Sequence, residues 1–189
     1  MADTSSFSED RRMMVGKNYH FFNRANHFGT TAEYPDYYGY LLSQATESIK
    51  VWDPYFNDGD ENLFSNVQSG VDVTILYMNE PIRGGRTTSL PLADVKSRVM
   101  TMLPMSHGNL KVVCLPKTDS TYDERKWHDR FLIIDDTFVY LVGASLRYQH
   151  ISAKCFGIYE IWEDEDAALI IERFEKTLYE VSRNRNNVA

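Results

Sequence analysis

The run Phe131-Leu132-Ile133-Ile134, followed by Asp135-Asp136-Thr137 and then Phe138 to Val142, constrains the fold of this chain more than any other stretch. Four consecutive apolar residues with β-branched and aromatic members have the length of a strand, and with no polar face they need cover on both sides. Asp135-Asp136-Thr137 reads as a tight turn into a second strand. That strand ends at Gly143, where a small residue lets backbone or ligand approach closely.

Chemistry sits at the start of the first strand. His128 and Arg130 are two apart, so on extended backbone they project from one face while Asp129 points away. An imidazole and a fixed cation converging on one spot suit a phosphate. The guanidinium can grip two oxygens at once, and a neutral imidazole can attack phosphorus or move a proton. Lys117, Arg125 and Lys126 add positive charge beside His128.

His128-x-Arg130-x4-Asp135 resembles the HxKx4D signature of the phospholipase D superfamily, and Gly143-Ala144-Ser145 is similar to the Gly-Ser-x-Asn that follows it. Arg130 stands where that signature has lysine, and the asparagine position is either taken by Leu146 or displaced by one residue. The His-Asp-Arg triplet, Gly143-x-x-Leu146 and the upstream Ile49-Lys50-Val51-Trp52-Asp53-Pro54-Tyr55 also resemble the phospholipase D-like domain at the C-terminus of MIT-domain proteins. The first resemblance implies an active site built from two motifs, with His128, Arg130, Asp135 and Ser145 as its residues here and Asp135 supporting the histidine network. One motif per chain then implies a homodimer with two His128 facing each other across a twofold axis. The second resemblance implies a non-catalytic, membrane-binding module.

With 189 residues, 43% hydrophobic and 13% aromatic, the chain is expected to form one globular domain, residues 19–189, behind a flexible arm, residues 1–18. A net charge of -7 argues against a general polyanion coat, so any phosphate site must be a local basic patch. Cys114 and Cys155 lie in expected strands without CxxC spacing, which suggests structural thiols in a reducing compartment. His20 and His27 are seven apart but lack a supporting carboxylate pattern, so neither a metal nor a cofactor is expected. No apolar run reaches bilayer length and the polar N-terminus has no signal-peptide core, giving a cytoplasmic expectation.

Along the chain, Pro35-Asp36 opens an expected helix running to Ser48 with Asp36 as N-cap, and a strand covers Ile49 to Asp53 before Pro54. Asp53, Tyr55 and Asn57 fall at that strand's carboxyl end, where open α/β sheets place ligand crevices. A helix over 60–69 turns Leu63, Phe64 and Val67 inward and stops at Gly70, and Val71 to Met78 is a strand. Arg83-Gly84-Gly85-Arg86 is a basic loop able to lie over a phosphate, without the spacing or lysine of a nucleotide P-loop. An amphipathic helix from Ser89 or Leu90 to Met105 carries Leu92, Val95, Val99 and Met102, with Gly108 ending it, and Leu110 to Leu115 is a strand. After Ser145, Arg147-Tyr148-Gln149-His150 forms a pocket rim. A strand from Phe156 to Trp162 holds Glu160, and a helix from Glu163 to Arg183 buries Ala167, Ile170, Ile171, Phe174, Leu178 and Val181.

Strands alternating with helices argue for an α/β/α sandwich with a mixed, mostly parallel central sheet, which the resemblance makes one phospholipase D-like unit. The expected activity is a metal-independent phosphodiesterase, a nuclease rather than a lipase, acting on nucleic acid or another phosphodiester through a phosphohistidine on His128. Phosphate-binding or rim candidates are Arg83, Arg86, Lys126, Arg147, Tyr55 and Glu160. The alternative is a degenerate module that binds a phosphorylated ligand, a phosphoinositide or a peripheral anionic membrane without turnover, since arginine in the lysine position cannot release a proton.

Overall fold

The computed structural model describes residues 19–22, 33–54, 56, 58–78, 90–115, 130–143 and 156–183. In chain order these form β1 (Tyr19–Phe22), α1 (Glu33–Ser43), β2 (Ser48–Trp52), a 3₁₀ helix (Asp60–Asn66), β3 (Asp72–Met78), α2 (Leu92–Met102), β4 (Leu110–Leu115), β5 (Phe131–Ile134), β6 (Phe138–Val142), β7 (Phe156–Ile161) and α3 (Asp164–Ser182).

The seven strands make one sheet in the order β1-β7-β6-β5-β2-β3-β4. It is mixed, as expected, but parallel pairing does not dominate. Only β2–β3 and β3–β4 run parallel, while β1–β7, β7–β6, β6–β5 and β5–β2 are antiparallel. Parallel neighbours need a long crossover, which the segments carrying the 3₁₀ helix and α2 supply, whereas the 135–137 turn is too short for anything but a hairpin.

Two apolar layers sandwich the sheet. Ile49 and Val51, Val73, Ile75 and Tyr77, Val112, and Leu132 and Ile134 face Tyr38, Leu41 and Leu42 of α1, Phe64 of the 3₁₀ helix and Val95 and Val99 of α2. On the other side Trp52, Leu76, Met78, Val113, Leu115, Ile133 and Val139 face Ala167, Phe174, Leu178 and Val181 of α3. β5 contributes to both layers, which is the two-sided cover its unbroken apolar run demands. The α3 stripe read from helical spacing is the stripe that is buried, with Ile170 and Ile171 packed at its margin.

Several boundaries differ for identifiable reasons. α1 begins at Glu33, so Pro35 falls in its first turn, where no amide is needed, and Asp36 is inside the helix rather than capping it. The segment expected as an α-helix over 60–69 is a 3₁₀ helix entered from Gly59 at φ 93. Its polar side chains compete with an α ladder: Asn62 Nδ2, Ser65 Oγ and Asn66 Nδ2 each donate to the carbonyl three residues back, at 3.0, 2.8 and 3.2 Å. α2 stops at Met102 because Leu103 precedes Pro104 and takes an extended conformation, ψ 149. Gly108 lies beyond the helix, where its amide donates to the Val71 carbonyl at 3.0 Å and a Cβ would stand 2.8 Å from the Val71 backbone. β1 was not anticipated from sequence. The expected arm, residues 1–18, lies outside the described residues.

Candidate functional site

Asp53 follows β2 but keeps its place in the ladder: its amide donates to the Leu76 carbonyl at 3.1 Å, and the Pro54 carbonyl accepts from Met78 at 3.1 Å. Trp52 pins this end of β2 on the α3 side, with edge-to-face contacts to Phe131 and Phe174 at 5.9 Å each. Alternation then turns Asp53 to the opposite side, the face of Ile49 and Val51.

Arg130 is likewise in register although β5 begins one residue later, because its carbonyl accepts the Val142 amide at 2.8 Å. Trp52 pairs with Phe131, so the next step along the antiparallel pair sets Asp53 opposite Arg130. Arg130 Nε stands 3.7 Å from Asp53 Oδ1. The arginine side chain is 21% exposed and the acid 4%. This is a nearly buried carboxylate paired with a partly exposed cation.

The end of the sheet matters as much as the pair. Residues 79–89 follow Met78, 116–129 join Leu115 to Arg130, and 144–155 join Gly143 to Phe156, while 55 and 57 follow β2. By the strand directions, all these described flanks lie at the end of the sheet where Asp53 and Arg130 stand. Those segments contain Tyr55, Arg83, Arg86, Lys126, His128, Ser145 and Arg147, each of which lies outside the described residues.

Asp135 stands at the opposite end of β5 from Arg130. Five residues along β5, about 17 Å at strand rise, separate it from Arg130. Its carboxylate accepts the amides of Thr46 at 3.0 Å, Glu47 at 2.8 Å and Ser48 at 2.9 Å, and the Thr46 hydroxyl at 2.8 Å. Partial burial works to raise its pKa, but these donors outweigh it and hold the carboxyl below the usual range. Asp135 and Asp136 both have positive φ, 53 and 50, as the centre of a type I′ turn requires. Asp135 therefore ties the β5–β6 turn to the start of β2.

Glu160 is on the same face as Arg130 but in a different row. It pairs with Tyr140, which pairs with Leu132, whereas Arg130 aligns with Val142 and Ile158. Two strands and one pleat thus separate the two, roughly 12 Å. Tyr140, which sequence reasoning did not single out, has its hydroxyl pKa pushed up to about 12 by burial, with the Glu160 carboxylate and Tyr40 adding to the effect. Its only signal in the sequence is its alternation with Val142 along β6.

No family model and no curated protein sequence matches the chain. Among solved structures it is similar to NucT from Helicobacter pylori, at 18% identity and TM-score 0.57, over 86% of this chain and 96% of that one. Similar too is Nuc from Salmonella typhimurium, a phospholipase D family member, at 15% identity and TM-score 0.53, over 85% and 93%. The phosphatidylserine synthase of Haemophilus influenzae matches at 16% identity and TM-score 0.52, over 87% of this chain and 38% of its own length. The chain has the α/β/α fold of the phospholipase D superfamily.

Proposed function

We propose that the chain is a metal-independent phosphodiesterase, a nuclease rather than a lipase, working as a homodimer. In this mechanism His128 attacks phosphorus, forming an N–P bond as the bond to the leaving oxygen breaks. His128 of the twin protonates that oxygen, and the two Arg130 side chains stabilise the charge on the non-bridging oxygens. Water then cleaves the N–P bond. The carrying observation is the Asp53–Arg130 pair, at 3.7 Å, at the sheet end to which the segments bearing His128, Ser145 and the basic candidates Arg83, Arg86, Lys126 and Arg147 attach. Cations spread over three such segments suit a ligand with several phosphates, which favours nucleic acid over one lipid headgroup.

A second reading, a phosphate-binding module without turnover, draws on the same pair. Asp53 offsets part of the charge of Arg130, and an arginine does not give up a proton. Hydrolysis of bis(p-nitrophenyl) phosphate in EDTA separates the two. The enzyme reading expects turnover that falls by roughly a thousandfold or more in His128→Ala, as loss of a nucleophile does. No turnover, with inorganic phosphate still bound, supports the module.

A further inference from the structure

We propose that Asp53 is a positioning residue for Arg130: it holds the Nε edge of the guanidinium so that the Nη edge meets a phosphoryl group, and its presence is why position 130 carries arginine. The inference rests on the phosphate-site reading above.

A guanidinium is planar and has donors on more than one edge, so one edge can bond protein while another grips two oxygens of a ligand. Here the edge nearest the protein carboxylate is Nε, 3.7 Å from Asp53 Oδ1, an ion pair rather than a hydrogen bond. The acid is nearly buried and its backbone is fixed, because the amide of Asp53 and the carbonyl of Pro54 are both held by β3 and Trp52 is wedged against Phe131 and Phe174. The arginine side chain is 21% exposed. Lysine has no second edge. Its ammonium is a point charge, and a buried carboxylate within reach would draw it inward, away from any ligand. Position 53 and position 130 therefore form one unit, and the acid selects the cation.

The test is a double-mutant cycle read with inorganic phosphate as the probe, each variant first checked for a native thermal transition. With Asp53 present, Arg130→Lys should weaken phosphate binding about tenfold, and in an Asp53→Asn background the same change should cost less than about threefold, because a neutral amide does not capture the ammonium. An equal penalty in both backgrounds overturns the positioning role.

A measurement on the unaltered protein covers the case in which Asp53→Asn does not fold. In nitrogen-15 spectra the Arg130 Nε–H should exchange slowly with water and stay in place as phosphate is added, while the Nη signals shift. An Nε–H that exchanges like that of an exposed arginine, or that shifts as far as Nη, contradicts the proposal. Binding lost in Arg130→Ala but without coupling to position 53 sinks the positioning role alone. Binding indifferent to Arg130→Ala sinks the phosphate site as well.

Discussion

Arg130 and Asp135 are read together in a linear motif, yet they stand at the two ends of β5 and do different work. The donors to Asp135 come 87 to 89 residues earlier in the chain, so nothing in its neighbourhood of sequence announces them. The partner of Arg130 was closer to legible, since Asp53 ends a strand whose carboxyl end was expected to face a crevice. Asp135→Asn removes charge-assisted hydrogen bonds but tolerates the left-handed backbone, and should lower folding stability by about 1–3 kcal/mol at neutral pH in urea titration. Because the folded pKa of Asp135 is depressed, its contribution is complete above the ordinary value of about 3.9 and is lost as pH falls through the lower folded value. The gap between parent and variant should therefore close in acid; a gap that widens there contradicts the hydrogen-bond account. Arg130→Ala leaves the buried Asp53 without this cation and should cost about 3 kcal/mol. Measured in the same titration, a cost near zero would mean that the pair is solvated.

Strands β4, β5 and β6 coincide with their sequence expectations to the residue, because short, mainly apolar runs with turn residues at one or both ends leave little freedom. Helix ends and helix type were less legible. The 3₁₀ helix depends on side chains bonding their own backbone, and the end of α2 on a proline two residues further on. α3 shows which contacts hold an element. Phe174 is fully buried against Trp52, so Phe174→Ala should destabilise by about 3–5 kcal/mol. Lys50 reaches Asp136 and Glu175, each at 2.5 Å, but both acids are half exposed. Burial works to lower the lysine pKa, and the two acids more than reverse it. Lys50→Met should nonetheless change stability by less than about 1 kcal/mol, since an ion pair whose acids stay half solvated contributes little and an apolar side chain suits the mostly buried position. Calorimetry that ranks the two substitutions in the opposite order would show that charge rather than packing fixes α3.

At the scale of the whole molecule, the α/β/α layering follows from counting apolar faces, whereas strand direction does not. Alternating helices and strands suggest parallel pairing, but β5 and β6 are joined by the 135–137 turn as a hairpin, and β6 and β7 also pair antiparallel. Among the described residues no helix is long and apolar enough to cross a membrane. The proposed chemistry needs two copies of His128, and sedimentation should find a dimer at micromolar concentration; a monomer that still turns over substrate would remove the need for the twin as acid. The central claim is that His128 becomes covalently bound to phosphorus. Protein mixed with bis(p-nitrophenyl) phosphate in EDTA and quenched in alkali, where phosphohistidine survives, can be digested and weighed peptide by peptide. A nitrophenylphosphoryl adduct is expected on the peptide containing His128 and absent from His128→Ala; turnover in the parent with no adduct at that histidine, or with the adduct on another residue, would contradict the phosphohistidine mechanism.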